Sequence, residues 1–168
     1  MTGIAVSGSV NCEVKMADIF VSYSFKDGEI AEFLCKHLTD EGLDVFRAPL
    51  SVSPGERWDE KILENLKNSP WVLFLASKAA CASPIVQQEV GVALGKEKHL
   101  VPIVWDMDPS ELPGWVKNVQ ALDLRNTSLG EAREQVSKIA ERIKADKLKG
   151  YLIVGLVIAA ILYVASKK

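Results

Sequence analysis

The stretch DIFVSYSFKDGEIAEFLCKHLTDEGLDVF, residues 18–46, decides the fold. It opens on D-I-F-V-S-Y, which is short, apolar and rich in β-branched and aromatic residues, and reads as a buried strand. A polar turn follows at residues 24–27. Ile30, Phe33, Leu34 and Leu38 then fall on helical spacing, and Gly42 ends that helix as a C-terminal glycine does. Residues 43–46 form a second short strand. A strand, a helix and a strand joined this way are too far apart for a hairpin, so the two strands run parallel.

The alternation continues downstream. Residues 47–57 carry Pro49, Pro54 and Gly55, which deny regular structure, and a loop of that length in a compact α/β unit is usually functional. Trp58, Ile62 and Leu66 mark the next helix, residues 71–76 a third strand and residues 83–96 a further helix. Residues 100–105 form a fourth strand, in which Pro102 argues for a position near a strand end or bulge. Beyond a second long loop with Pro109 and Pro113, residues 119–124 make a fifth strand, and Ala132, Val136, Ile139, Ala140 and Ile143 carry a final amphipathic helix. The predicted class is therefore α/β, a flavodoxin-like five-stranded parallel sheet with helices on both faces. Ligands of such sheets bind outside the carboxyl ends of the strands, here the loops after Tyr23, Phe46, Ala76 and Trp105.

The flanks differ from this core, which is placed at residues 17–146. Residues 1–16 lack periodicity and any secretory pattern, and are expected to be a disordered leader, with Met16 a possible alternative start. Residues 150–165 carry no charge, with Lys147 and Lys149 before them and Lys167 and Lys168 after. They are predicted to be a single C-terminal transmembrane helix holding the N-terminal domain in the cytoplasm. At 1.5 Å per residue the run measures roughly 24 Å against a hydrocarbon core of ~30 Å, so the lysines would snorkel or the bilayer thin. A buried core helix is the alternative. Gly150 and Gly155 do not make a close-packed G-x-x-x-G pair.

Composition narrows the function. A chain of 168 residues, 48% hydrophobic, suits one domain with a proper core. A net charge of -2 and a pI near 5.8, without an arginine stripe or an aromatic stacking patch, speak against nucleic acid as a partner. Cys12, Cys35 and Cys81 are odd in number and widely spaced, which suits a reducing compartment. Only His37 and His99 are present, so no metal site is expected and little remains for a catalytic triad; no bound cofactor is expected either. The fingerprint G-x-G-x-x-G is missing, which removes support for a Rossmann dehydrogenase.

One residue stands out. In S-P-I-V-Q-Q-E-V-G-V-A-L-G, residues 83–95, Ser83 is the expected N-cap and Pro84 the first helical residue. On a helical wheel Ile85, Val86, Val90, Val92, Ala93 and Leu94 form an apolar arc, and Glu89 falls inside it. Burying a lone carboxylate costs several kcal/mol or raises its pKa. Glu89 is therefore either paired, with a lysine such as Lys96, or lines a cleft.

With these elements in place, residues 18 to about 143 resemble the Toll/interleukin-1 receptor (TIR) domain, especially its bacterial type. The resemblance rests on D-I-F-V-S-Y-S-F-K-D, E-G-L-D-V-F-R-A, S-P-G-E-R-W, A-S-P-I-V-Q-Q-E-V-G-V-A-L-G and L-V-P-I-V in this order. Family members divide into scaffolds that signal by self-association and enzymes that cleave the nicotinamide–ribose bond of NAD with one glutamate, a position Glu89 matches. The resemblance implies NAD as substrate, self-association through TIR surfaces and a role in defence or stress signalling. It further implies that Tyr23, Ser24 and Phe25 wall the cleft and that residues 47–58 form a flap, where Trp58 stacks on a base and Arg47 or Arg57 meets the pyrophosphate. The residues themselves leave other readings open: Trp58 shares core spacing with Ile62, Tyr23 ends a strand, Ser22 belongs to the strand and Asp27 suits a helix N-cap. Where many family members carry tryptophan two residues after the serine that begins the helix, this chain has Ile85. The rival readings are a non-enzymatic adaptor and a membrane-damaging tail triggered by clustering.

Overall fold

The computed structural model of the chain describes residues 16–47 and 58–165, the side chains of 58–61 and 164 excepted. The expected leader, apart from Met16, and loop residues 48–57 lie outside the described residues. Five strands form one sheet: β1 (Ile19–Ser22), β2 (Val45–Arg47), β3 (Trp71–Leu75), β4 (His99–Val104) and β5 (Leu122–Asp123). Their order is β2-β1-β3-β4-β5 and every pairing is parallel. The helices are α1 (Gly28–Asp40), α2 (Trp58–Asn68), α3 (Lys78–Cys81), α4 (Pro84–Gly95) and α5 (Leu129–Ala165).

Two expectations about strands are corrected. β5 is two residues long, not the six of residues 119–124, and Pro102 lies inside β4, opposite Phe74, with no bulge. β5 pairs with β4 only at Ile103 and Val104. At Pro102 one side of β4 is thus an edge, which tolerates a missing N–H. The four-residue α3 was not anticipated; Ser77 caps it by accepting the Ala80 N–H at 2.9 Å.

Alternation along β1 sorts the core. Ile19, Val21 and Tyr23 join Leu34 and Leu38 of α1 and Val136, Ala140 and Ile143 of α5 on one face. Phe20 joins Ile62 and Leu66 of α2 and Val86, Val90 and Ala93 of α4 on the other. A side-chain period of two sends Ser22 to the α2/α4 face with Phe20. All four residues of β1 are fully buried, as a central parallel strand requires.

The last helix departs most from expectation. α5 is one unbroken helix of 37 residues, where a separate amphipathic helix and a transmembrane helix were predicted. Polar contacts clasp its first half to the domain. Ser137 donates to Glu41 at 2.9 Å and meets His37 Nε2 at 2.9 Å, and Lys144 donates to Glu41 at 2.9 Å. Lys147 reaches Asp18, just before β1, at 2.8 Å. α5 therefore starts beyond the carboxyl end of β5 and runs back to the amino end of the sheet. From there its large apolar side chains, Tyr151 to Tyr163, stand 52–71% exposed. Among the described residues no helix is long and apolar enough to cross a membrane, so the transmembrane expectation for residues 150–165 is not supported. Its uncharged run stops short of a bilayer core, and the rest of α5 is charged.

Gly42 follows α1 with φ of 84°, and its N–H meets the Thr39 carbonyl at 2.8 Å while the Leu43 N–H meets that of Leu38 at 3.2 Å. A left-handed backbone at this position favours glycine. A Cβ there would meet nothing within 4 Å, so the cost of Gly42→Ala is backbone strain alone. The substitution is expected to lower stability by about 1 kcal/mol in urea unfolding, with an unchanged slope.

Candidate functional site

The site grows from the start of α4. Ser83 caps this helix, accepting the Val86 N–H at 3.5 Å, and Pro84 supplies its first turn. The apolar arc then seats Val86, Val90 and Ala93 on the sheet and carries Glu89 in with them, leaving Glu89 7% exposed. There its carboxylate meets the last residue of β1. The Ser22 hydroxyl, itself fully buried, donates to Glu89 Oε2 at 2.6 Å. Lys96, the partner considered from the sequence, is instead the C-cap residue of α4, and no ion pair joins it to Glu89 among the described residues.

Beside this bond a cleft of about 660 Å³ opens between α2 and α4. Ile62, Leu63 and Leu66 line it from α2, Ile85 and Val92 from α4, with Gln88 and Glu89 supplying the polar atoms. Burial pushes the Glu89 carboxyl from 4.5 up to about 7, and the Ser22 bond, which favours the charged form, opposes that rise. An apolar cleft with one convergent acid is a common design for small-molecule sites.

Other expected site residues lie elsewhere. Tyr23 is buried on the opposite face of the sheet, among the α1 and α5 core residues. Ser24 caps a 3-10 turn by accepting the Lys26 N–H at 3.4 Å, and Phe25 in that turn is 74% exposed. Arg47 ends β2 and reaches Glu32 of α1 at 3.9 Å. None of these four lines the cleft as described. Trp58 is the first residue of α2, but its side chain and all of Arg57 lie outside the described residues. Asp27 holds the N-cap position of α1 without capping it. Its buried carboxylate instead accepts from Ser77 at 2.6 Å, tying the loop after β1 to the loop after β3. Burial pushes the thiols of Cys35 and Cys81 up to about 11, which leaves them protonated and unreactive at neutral pH.

Ser22 is the strand residue the sequence suggested, and what sequence reasoning missed is its bond to Glu89. The available signal was a serine closing a fully buried apolar strand, since a buried hydroxyl needs a partner.

The sequence profile of the TIR domain family matches residues 19–143. The chain belongs to the TIR domain family. A probable 2' cyclic ADP-D-ribose synthase, BdTIR, from Brachypodium distachyon is 26% identical over 97 residues, 56% of this chain and 43% of that protein. The chain thus spans less than half the length of that relative. The TIR domain of the Toll-related receptor TRR-2 of Hydra magnipapillata superposes with a TM-score of 0.64 at 20% identity, covering 77% of this chain and 99% of that one. The TIR domains of the activated Roq1 resistosome, which directly recognises the pathogen effector XopQ, superpose with a TM-score of 0.61 at 20% identity, covering 76% and 99%. Both structures establish the likeness of fold.

The Glu89 carboxyl has a consequence for the stability of this TIR domain. With its pKa raised from 4.5 to about 7, the folded state binds more protons than the unfolded state between those values, so stability falls as pH rises through that window. Glu89→Gln removes the titration. Its stability relative to wild type is expected to increase by about 3 kcal/mol between pH 4.5 and pH 7, measured by denaturant unfolding at each pH.

Proposed function

We propose that this TIR domain cleaves NAD at the nicotinamide–ribose bond, with Glu89 as its catalytic residue. The observation that supports this most is a carboxylate buried against the end of β1 that, alone among the described acids, lines an apolar cleft. Nicotinamide leaves a cationic pyridinium as a neutral base, taking the electron pair of the broken bond, so departure needs no general acid. The ribose left behind develops oxocarbenium charge. A carboxylate in a sheltered cleft stabilises that charge better than water does. Water then adds to the ribose carbon and loses its proton, giving ADP-ribose, or a hydroxyl of the same molecule adds and gives a cyclic product. The described residues offer one acid where an alcohol-expelling glycosidase uses two. The cyclic ADP-D-ribose synthase named above is consistent with this reading.

The ionised acid is the active form, so nicotinamide release is expected to rise with pH through about 7. Of the titratable groups near Glu89, Tyr23 has its own pKa raised above 10.0 by burial and is neutral throughout. The described residues that face Glu89 from α2 are uncharged. At pH 7.5, Glu89→Gln is expected to lose at least about 100-fold in rate, measured as nicotinamide released by concentrated full-length protein. Release that survives the substitution, or no release by wild type at any pH or degree of clustering, overturns the proposal. A scaffold that signals by TIR–TIR association is the second reading. It is favoured by Ile85, 44% exposed where an aromatic face would hold a base, and the same assay decides between the two.

The exposed apolar end of α5 is further proposed to attach the protein to a lipid surface, with the TIR domain on the cytoplasmic side. It enters the hydrocarbon without crossing it, and the exposed Lys149 remains at the headgroups. Attachment confines copies to two dimensions and raises their effective concentration for self-association. Full-length protein is expected to sediment with anionic vesicles and a chain ending at Lys149 to remain in the supernatant. Equal partitioning of the two overturns this attachment.

A further inference from the structure

We propose that Ser22 is the positioning residue of the Glu89 site, holding one oxygen of the carboxylate so that the other is presented to the cleft. The inference rests on the NAD-cleaving reading above, but its geometric half stands apart from it. Ser22 ends β1, an inner strand of the sheet flanked by β2 and β3, and is itself paired with Phe74 of β3. Its side chain faces α4 because strand residues alternate and Phe20 faces the same way. The bond it makes to Oε2, at 2.6 Å and 67 residues away in sequence, joins a rigid strand to the one helix that carries the acid. Among the described residues Oε1 accepts no hydrogen bond, and Glu89 lines the cleft.

The arrangement divides the carboxylate by function. A fully buried serine on a strand has little freedom, so it fixes the position of the oxygen it holds. A hydroxyl supplies one donor without charge, which favours the ionised acid yet leaves its negative charge in place for a cationic ribose. A lysine or arginine at the same point would hold the acid ionised but neutralise the charge the reaction needs. The titratable neighbour Tyr23 projects to the other face of the sheet, and among the described residues Gln88 and the α2 side chains at the cleft carry no charge.

The test uses the full-length chain as wild type, Ser22→Ala and Ser22→Cys, the last keeping the size of serine with a much weaker donor. The Glu89 side-chain carboxyl is titrated by carbon NMR, assigned by its loss in Glu89→Gln, and nicotinamide release from NAD is followed against pH. In both Ser22 variants the Glu89 midpoint is expected to move upward by at least half a pH unit. The acid limb of the rate profile moves with it, and kcat falls about 10-fold at pH 7 while KM for NAD stays within about 2-fold. An unmoved midpoint in a folded variant overturns the inference, whether or not the protein cleaves NAD. So does a raised KM at unchanged kcat in either variant. A moved midpoint in a protein that releases no nicotinamide as wild type overturns the NAD reading and the catalytic half of this inference, and leaves Ser22 as the group that sets the ionisation of Glu89.

Discussion

The burial of the Glu89 carboxylate against the end of β1 is the constraint on which the rest of this structure turns. A helix docked on a sheet would lose nothing by carrying leucine there, and its neighbours Val86, Val90 and Ala93 show what the position otherwise selects. The acid raises its own pKa through burial and lowers the stability of the fold at neutral pH. Among the described residues one uncharged donor, Ser22, offsets that cost. Asp27, also buried at the carboxyl end, is matched by the Ser77 hydroxyl. Stability is thereby held in the sheet and the two helix layers, and the site is the place where it is given up.

The two faces of the sheet carry different duties. The α1/α5 face is closed by a dense apolar layer and by a polar clasp of His37, Ser137, Glu41 and Lys144 on its outer side. The clasp looks like the raw material of a triad, but its serine donates to the acid, and among the described residues no carboxylate is hydrogen-bonded to the histidine to orient it, so it is a fastening between helices. The α2/α4 face opens into the cleft. Among the described residues its walls are apolar side chains on two helices, and the polarity of the site is concentrated in Glu89 and Gln88.

Most of the fold was legible because it rests on period. The strands from residues 18, 43, 71 and 100, and the helices between them, follow from apolar spacing and glycine or proline punctuation, which are local. β5 was overread because Val119 and Ala121 are core residues that pack without being strand. Glu89 was legible for the opposite reason, as a violation of pattern in an otherwise consistent helix. Its partner was not, because Ser22 and Glu89 meet through the register of β1 against α4, a tertiary relation that spacing along the chain does not encode. Tyr23 stands within electrostatic reach of Glu89 and Arg47, yet it packs in the α1/α5 core and Arg47 reaches Glu32, so neither lines the cleft as described. The apolar tail was visible as composition, but its continuity with α5 was not, since Gly150 and the lysines before it read as a boundary and the helix runs through them.

That continuity has a mechanical meaning. A helix of 37 residues is a rod of about 56 Å, bolted to the domain at Glu41 and Asp18 and without a proline along its length. It has no hinge between the folded body and its apolar end. Whatever grips that end carries the domain with it. The grip comes at the amino end of the sheet and the Glu89 cleft lies near the carboxyl end, so a tethered molecule would hold its cleft at the far end from the tether.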